Sequence, residues 1–339
     1  MTSQKDVQLS EGGRLLGAKV LVTGGAGFVG SNIVDLLVKA GAADIIVIDN
    51  MVRGRAANLN NALASGKIRL VEGDIRDLTL MRGLVDGCDV VFHQAALRIT
   101  HCAAEPRQGM EVMVNATFDL LEMCVDAKIP RVIAASSASV YGLADEFPTT
   151  ERQNPYNNRT FYGAAKAFNE GLLRSFNDMF GLNYVALRYF NVYGPRMDLH
   201  GRYTEVLVRW MERIEQGLPP IIFGDGAQTM DMINVLDVAR ANILAAEAPV
   251  SDAVYNIGDG SETSLKGLAI ALASAMGKPH LQPIHEAERA VNPVPRRLAD
   301  ISAAKHDLTF ETTIGLEDGL RELVAWWRCE RGQLQGTAA

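Results

Sequence analysis

A tyrosine and a lysine lie four residues apart in the stretch FYGAAKAFNE, residues 161–170, with only small residues between them. Helical spacing of this kind puts Tyr162 and Lys166 on the same face. A free tyrosine titrates near about pH 10 and is a poor base at neutral pH, but a neighbouring cation lowers its pKa. We therefore expect Lys166 to lower the pKa of Tyr162. Tyr162 could then take a proton from an alcohol while a hydride leaves the same carbon.

A serine lies upstream of this pair, at the end of the predicted strand in RVIAASSASVYG, residues 131–142. Ser137 could hydrogen-bond to the same substrate hydroxyl and polarise the carbonyl that forms from it. The alternative is that the serines of this run only satisfy backbone groups at the end of the strand.

Glycines separate a predicted strand from a predicted helix in VLVTGGAGFVGSNIVDLL, residues 20–37. Gly25, Gly27 and Gly30 match the spacing G-x-G-x-x-G, and Gly24, Gly27 and Gly30 match the related G-x-x-G-x-x-G. Such a turn lets the backbone approach a pyrophosphate and places the anion at the positive end of the helix. The pattern predicts a dinucleotide site.

An acid ends the next predicted strand, about 20 residues after the glycines, as dinucleotide sites require. The carboxylate of Asp49 can accept both ribose hydroxyls and would repel a 2′-phosphate, so it favours NAD over NADP. Arg53 and Arg55 follow it and leave NADP open.

Two further predicted strands end in residues that suit the same ligand. Asp74 in GDIRD could accept from the adenine amine, and Gln94, Ala95 and Ala96 in FHQAALR leave room for the cofactor. Because parallel strands end at one edge of a sheet, these residues should lie together.

The composition excludes several classes of protein. The 339 residues are 48% hydrophobic and 22% charged with a net charge of −7, which argues against nucleic-acid binding through basic patches. The N-terminal stretch lacks the apolar core of a signal peptide, and no apolar run reaches the ~20 residues of a membrane helix. The 4 cysteines show no metal-site spacing. We expect a cytoplasmic protein with reduced thiols and no metal site.

Apolar runs alternate with helix-length amphipathic segments from Lys19 onward, as in KVLVTG, DIIVID, IRLVEGD and DVVFHQAA. This alternation predicts an α/β fold, a Rossmann-type doubly wound parallel sheet. Proline and glycine cluster after about Gly194, which indicates a smaller C-terminal α/β substrate lobe. The expected boundaries are 17–193 for the NAD-binding domain, with the chain crossing back near 225–258, then 194–330 for the second lobe, with tails 1–16 and 331–339.

The chain resembles the extended short-chain dehydrogenase/reductases, in the nucleotide-sugar epimerase/dehydratase group. The resemblance rests on motifs that run in family order from about residue 19 to 305: TGGAGFVGSN, VIDN, GDIRD, HQAA, VNATFDLLE, SSASVYG, YGAAK, RYFNVYGPR, GDGAQT and LADISAAK. It implies an NAD-binding lobe, a nucleotide-sugar lobe, and Ser137, Tyr162 and Lys166 as catalytic residues. It also implies a homodimer formed by the helices near 107–127 and 161–180.

The residues expected to bind NAD combine these patterns with their neighbours in the motifs. They are Gly24, Gly27, Phe28, Val29, Gly30, Asp49, Asn50, Asp74, Ile75, Gln94, Ala95, Ala96, Tyr162, Lys166 and Phe190.

The resemblance leaves the reaction to be decided. In the dehydratases and many decarboxylases of the family, acidic residues follow the catalytic Ser or Thr, whereas this chain has Ala138 and Ser139. This difference favours an NAD-dependent 4-epimerase. Such an enzyme transiently oxidises C4 of a UDP-hexose, UDP-HexNAc or UDP-uronate to a 4-keto intermediate. The alternatives are a nucleotide-sugar decarboxylase, dehydratase or reductase, and a non-catalytic NAD-binding regulatory protein.

Recognition of the substrate departs from the family in one place. The resemblance implies that Asn191 and Arg289 contact the substrate, but Met230 stands where an arginine usually meets the diphosphate. Arg202 or Arg209 could replace that cation.

Arg297 stands three residues before Asp300, where related epimerases carry a residue that gates the size of the sugar. We expect Arg297 to face the sugar and pair with an acidic group such as a C6 carboxylate. The alternative is an arginine that faces solvent.

Overall fold

The computed structural model describes residues 13–199, 206–287 and 294–336. In these ranges the strands are β1 (Lys19–Thr23), β2 (Asp44–Asp49), β3 (Ile68–Glu72), β4 (Val90–His93), β5 (Arg131–Ser137), β6 (Tyr184–Tyr189), β7 (Asn191–Tyr193), β8 (Ile221–Phe223), β9 (Thr229–Met230), β10 (Met232–Asn234), β11 (Ala253–Ile257), β12 (Thr263–Ser264) and β13 (Ile284–Glu286).

The helices in the same ranges are α1 (Phe28–Lys39), α2 (Asn60–Leu63), α3 (Leu78–Val85), α4 (Ile99–Ala104), α5 (Pro106–Met110), α6 (Ala116–Asp126), α7 (Phe161–Phe180), α8 (Val206–Glu215), α9 (Val235–Glu247), α10 (Leu265–Ala275), α11 (Ser302–Leu308) and α12 (Leu316–Gly336). A π-helical turn, Glu111–Asn115, joins α5 to α6. Short 3-10 turns cover Ala56–Leu59, Ala138–Tyr141 and Pro155–Asn157. In the part of the chain that is described, no helix has both the length and the apolarity to cross a membrane.

The main sheet has seven parallel strands in the order β11-β6-β5-β4-β1-β2-β3. Its central strands form because their residues are apolar on both faces: β4 is fully buried, and β1 is buried from Val20 onward. The strand order reverses between β1 and β4, and ligands of doubly wound sheets bind in the crevice at such a point. The predicted Rossmann-type fold is confirmed.

Helices cover both faces of this sheet. On one face, α1 and α9 bury Ile33 and Val238 against the strands. On the other, α3, α6 and α7 bury Met81, Leu120 and Leu173. The two helix layers hold the strands in place, and the site is built from the ends of those strands.

A second cluster of buried side chains lies in the C-terminal part of the chain. Trp210 of α8 and Trp327 of α12 are both 1% exposed and pack together with apolar residues of α10. Three small sheets pair β7 with β10, β8 with β13 and β9 with β12. This is the smaller C-terminal lobe that the sequence predicts.

The chain returns twice to the first lobe. Residues Val235–Ile257 form α9 and β11, and β11 pairs with β6 at the edge of the main sheet. Later, Ala304, Leu308 and Phe310 join the same buried cluster as α1. The predicted crossing near 225–258 corresponds to the first of these segments. The predicted boundaries leave the second segment in the C-terminal lobe.

Candidate active site

The glycine turn approaches other backbone atoms too closely for any side chain. Gly24 has a φ of +66°, and a Cβ there would lie 2.8 Å from the Cα of Ala95. A Cβ on Gly30 would lie 2.3 Å from the carbonyl oxygen of Gly24. Helix α1 therefore begins directly against the ends of β1 and β4, with Gly27 as its N-cap. Its first N–H groups and its positive end suit a phosphate.

Asp49 ends β2 next to this turn and is 8% exposed. Its carboxylate accepts hydrogen bonds from the N–H of Ala26 at 3.1 Å and of Met51 at 2.9 Å. Burial raises the pKa of Asp49, and these hydrogen bonds oppose the rise. Arg53 pairs with Asp198 at 3.1 Å and Arg55 with Glu330 at 3.0 Å. The two arginines that could have bound the 2′-phosphate of NADP are therefore already paired with carboxylates.

Asp74 follows β3, one strand further along the same edge. Arg76 donates to both of its carboxylate oxygens, at 2.9 and 2.8 Å, and also pairs with Glu111 at 3.0 Å. The Arg76 guanidinium lowers the pKa of Asp74 to about 2. Asn50 donates to the same carboxylate at 3.4 Å, so Asp74 stays ionised and oriented.

One cavity of about 1710 Å³ runs from the glycine turn to the C-terminal lobe. Single-ligand pockets are usually ~300–1,000 Å³, so this cavity has room for two ligands. It is lined by these predicted site residues: Gly24, Gly27, Phe28, Val29, Gly30, Asp49, Asn50, Asp74, Ile75, Gln94, Ala95, Ala96, Ser137, Tyr162, Phe190, Asn191 and Arg297. Lys166 does not line this cavity but lines a small neighbouring one together with Ser136, and Arg289 falls outside the described residues.

The reactive groups lie where β5 ends against α7. Thr160 caps α7 by accepting from the N–H of Gly163 at 3.1 Å, which fixes the first turn of the helix. Ser137 is the last residue of β5, its Oγ accepts from the N–H of Ser139 at 3.1 Å, and both Ser137 and Tyr162 line the cavity. Lys166 is 3% exposed and donates from Nζ to the carbonyl of Ala135 at 2.6 Å.

The charge on Tyr162 depends on its burial and on the groups around it. Burial raises the pKa of Tyr162, and the nearby Ser137 hydroxyl and the charges of Arg297 and Arg53 only oppose that rise. Lys166 Nζ points at Ala135 and lies 6.0 Å from the centroid of the Tyr162 ring. The expected effect of Lys166 on the pKa of Tyr162 stays a prediction. Burial also lowers the pKa of Lys166 itself, to about 8.

The other end of the cavity, which we name the sugar end after the substrate that the resemblance implies, begins at β7. Asn191 donates from Nδ2 to the sulfur of Met230 at 3.5 Å. Its Oδ1 is buried without a hydrogen-bond partner among the described residues. A buried acceptor of this kind costs about 1–3 kcal/mol, so it suits a ligand hydroxyl. Met230 lines the cavity, and so does Arg209 of α8, whereas Arg202 lies outside the described residues.

Residues 294–300, which we name the strap, cross the sugar end between β9 and Thr149. On the β9 side, Arg297 donates its N–H to the carbonyl of Thr229 at 3.2 Å. On the other side, Thr149 donates to Leu298 at 2.8 Å and accepts from Asp300 at 2.9 Å. Arg297 is among the residues that line the cavity and is partly buried.

Sequence reasoning missed the groups that hold the strap. The buried carboxylate of Asp231 accepts from the N–H groups of Ala299, Asp259 and Gly260, and burial raises its pKa to about 6. Asn256 donates to the carbonyls of Thr149 and Asp300. The only signal in the sequence was a polar residue inside an apolar run, as in TMDMIN.

The matches to known proteins agree with this geometry. The model of the NAD dependent epimerase/dehydratase family matches residues 20–258. A putative UDP-glucose 4-epimerase of Methanocaldococcus jannaschii is 35% identical over 312 residues, which cover 91% of this chain and 98% of that protein.

Two solved structures extend the likeness. UDP-N-acetylglucosamine 4-epimerase from Methanobrevibacter ruminantium, in complex with UDP-N-acetylmuramic acid, is 34% identical with a TM-score of 0.87 and covers 93% of this chain and 99% of its own. MoeE5 in complex with UDP-glucuronic acid and NAD is 32% identical with a TM-score of 0.80, covering 92% and 99%. Decarboxylases and dehydratases of nucleotide sugars are also among the relatives.

Proposed function

The chain belongs to the NAD dependent epimerase/dehydratase family, and from that premise we propose that it is an NAD-dependent nucleotide-sugar 4-epimerase. The observation that carries the proposal is a single cavity that holds a dinucleotide turn at one end and both Ser137 and Tyr162 further along its wall.

The first end of the cavity fits NAD. Gly24 and Gly30 line this end, and they pack too closely against other backbone for any Cβ, which brings the N–H groups at the start of α1 to the wall where the pyrophosphate would bind. Asp49 would accept the adenosine ribose hydroxyls, and Asp74 the adenine amine. Arg53 and Arg55 are paired with carboxylates, which leaves them less suited to a 2′-phosphate.

Tyr162 and Ser137 perform the proton chemistry. When bound, NAD accepts a hydride from C4 of the sugar and later returns it, and its positive nicotinamide favours the Tyr162 phenolate. Tyr162 takes the proton of the C4 hydroxyl while the C4–H bond breaks, and Ser137 donates to the oxygen that becomes the carbonyl. The 4-keto sugar then turns its other face to the cofactor. As the C4–H bond reforms, Tyr162 returns the proton to the oxygen.

Elimination of water needs an acid and a base beyond Tyr162, and the carboxylates that line this cavity are committed elsewhere. Among the described lining residues, Asp49 and Asp74 lie at the dinucleotide end, and Asp198 pairs with Arg53. Asp225 is exposed and accepts from the backbone of its own turn. Ser137 is followed by Ala138 and Ser139, without a carboxylate. This supports epimerisation over dehydration.

The sugar nucleotide would bind across the C-terminal lobe. The relatives named above act on or bind UDP-sugars, which supports a UDP-hexose, UDP-HexNAc or UDP-uronate as substrate. Asn191 would accept from a sugar hydroxyl through its unpaired Oδ1. Met230 cannot bind the diphosphate by charge, so Arg289 and Arg209 are the candidates for that role. Arg297 would pair with the C6 carboxylate of a uronate.

The proposal includes a homodimer formed by a second copy of this chain. Met110, Phe118 and Phe168 are 41, 39 and 53% exposed, on or beside α6 and on α7, which pack against each other. Apolar side chains so exposed favour a partner surface. Phe168→Glu should shift the protein to a monomer in size-exclusion chromatography, whereas Leu16→Glu, at a site elsewhere that is 62% exposed, should not. Equal elution of all three proteins as monomers would contradict the dimer.

The proposed activity is tested by identifying the cofactor released from denatured protein and by assaying a panel of nucleotide sugars. We expect NAD and a product that isomer-resolving chromatography separates from the substrate at unchanged mass. A product lighter by water or carbon dioxide would identify a dehydratase or decarboxylase instead. Binding of NAD with no turnover of any sugar would favour a regulatory protein.

A further inference from the structure

A short segment after β7, residues 196–198, joins the C-terminal lobe to the dinucleotide end of the cavity. Its middle residue, Met197, is 4% exposed and packs in the buried cluster of the C-terminal lobe. The side chains on either side of it reach the first lobe instead. Arg196 donates to Asp35 of α1 at 2.6 Å, and Asp198 pairs with two arginines.

Asp198 pairs with both arginines through the same carboxylate oxygen. Its Oδ2 lies 3.1 Å from Nε of Arg53, in the loop after β2, and 3.9 Å from Nη2 of Arg98, in the loop after β4. The side chains of Asp198, Arg98 and Arg53 are 13, 17 and 31% exposed. Opposite charges that are partly buried are screened less by salt than charges on the surface. One carboxylate therefore bridges two loops of the first lobe.

The two loops lie on opposite sides of the glycine turn. In the main sheet β1 lies between β2 and β4, and the glycine turn follows β1. On the β2 side, the N–H of Arg55 donates at 3.1 Å to the carbonyl of Ala26 within the turn. On the β4 side, Ala95 lies so close to Gly24 that a Cβ on the glycine would be 2.8 Å from the Ala95 Cα. Because both loops pack against the turn, a bridge between them crosses the crevice in which a pyrophosphate would lie.

The backbone holds Asp198 in this place. Arg196 has a φ of 72°, in the left-handed region that residues other than glycine seldom adopt. Such a conformation persists only where the surrounding structure fixes it. Here the pair between Arg196 and Asp35 fixes it on one side and buried Met197 on the other. Asp198 follows directly, so its position at the crevice is set by the fold.

We propose that Asp198 is a clasp across the dinucleotide crevice and that this clasp controls how fast NAD leaves the protein. The glycine turn and α1 form the floor of the crevice, so NAD leaves on the side where Asp198 joins Arg53 to Arg98. Slow release suits a cofactor that ends each turnover in the state in which it began. The proposal deepens the function proposed above and rests on its NAD site, but not on the reaction at C4.

The test measures the rate of NAD release from the holoprotein. Protein loaded with radiolabelled NAD is diluted into excess unlabelled NAD, and the retained label is followed by rapid filtration. Asp198→Asn removes the charge with little change in shape. We expect release to become about tenfold faster, the effect of losing one charge-assisted hydrogen bond. Asp126→Asn is the matched control, because Asp126 pairs with Arg82 at 3.2 Å on the exposed surface of α3 and α6. It should release NAD at the wild-type rate.

Arg98→Met cuts the clasp at its other end and supplies the second readout. Because each single change opens the same bridge, the double variant with Asp198→Asn should release NAD no faster than the faster single variant. Effects that multiply in the double variant would show that the two side chains retain NAD separately and would overturn the clasp. Unchanged release in Asp198→Asn, or an equal increase in Asp126→Asn, would overturn it too.

If Asp198→Asn does not fold, Arg98→Met decides the point by itself. Release about tenfold faster than wild type is then the expected result, and unchanged release overturns the proposal. The release assay contains no sugar, so it tests the clasp even if the protein turns over no nucleotide sugar.

Discussion

The two ends of the cavity are built in different ways. The dinucleotide end is formed by the ends of β1, β2, β3 and β4, neighbours in one parallel sheet, with backbone groups and glycines as its main components. The sugar end is formed by β7, β9, α8 and the strap, which come from distant parts of the chain. The first end fits a ligand that all family members share, and the second can vary without disturbing the sheet. We expect changes at the first end to affect stability and cofactor binding, and changes at the second to affect substrate selection.

Tyr162 lies where the two ends meet, and its loss should have the largest effect. Tyr162→Phe removes the general base and should lower kcat by about 10³-fold, within the usual range for such a group. NAD released on denaturation should stay at the wild-type amount. Tyr184→Phe is the matched control, since its hydroxyl bonds to Asp252 at 2.7 Å away from the cavity. A Tyr162→Phe variant that retains full activity would show that the proton goes elsewhere.

The glycine turn should tolerate no side chain. Gly30→Ala places a Cβ 2.3 Å from the Gly24 oxygen and 2.7 Å from the Gly25 Cα, and neither backbone atom can rotate away. We expect a loss of about 1–3 kcal/mol in the free energy of unfolding, measured by urea denaturation, together with loss of bound NAD. Gly83→Ala, where no atom lies within 4 Å, should instead gain about 0.5–1 kcal/mol as a helix interior position. Equal stability of both variants would mean that the turn is not tightly packed.

Lys166 should make the fold less stable at neutral pH because its ammonium is desolvated. Burial lowers its pKa from the ordinary 10.5 to about 8. Between those values the unfolded chain binds more protons, so stability rises with pH across this window, and the full penalty applies below it. Lys166→Met should therefore be more stable near pH 7 by on the order of 2 kcal/mol, after allowing for the lost hydrogen bond to Ala135.

The advantage of Lys166→Met should shrink as the pH rises above about 8. Urea denaturation at several pH values measures it, and Lys305→Met, at an exposed position of α11, should show no such trend. Parallel stability curves for wild type and Lys166→Met would contradict the burial of a charged lysine.

Asn191 tests the sugar end by itself. Asn191→Ala removes the unpaired Oδ1 and should raise KM for the nucleotide sugar about tenfold, the cost of one hydrogen bond. The amount of bound NAD should stay close to wild type, and the free energy of unfolding should not fall, since the variant loses an unpaired acceptor and an amide that contacts only a thioether. Steady-state kinetics and cofactor release measure both quantities. Loss of NAD in this variant would show that the two ends are coupled.

The same contrast explains what the sequence could predict. At the dinucleotide end, short spacings determine the geometry: a glycine turn must follow a strand, and Asp49 and Asp74 must lie at one edge because parallel strands end there. The fold and the lining of that end follow from such local patterns.

The sugar end depends on contacts that no spacing shows. Asp231 holds Ala299 from 68 positions away in the sequence, and Asn256 holds Asp300 from 44. The surroundings of Lys166 depend on a contact of the same kind. The i, i+4 pattern shows that Lys166 is near Tyr162, but not that its amine donates to the carbonyl of Ala135.

The central claim is that one hydrogen leaves and returns to the same sugar carbon, with Tyr162 moving the proton. A UDP-hexose that carries deuterium at C4 tests it most directly, with the epimer isolated and analysed by mass spectrometry and NMR. The account predicts that the product keeps its deuterium at C4 in inverted configuration and with unchanged mass. Exchange of that deuterium with solvent, or epimerisation at another carbon, would contradict it.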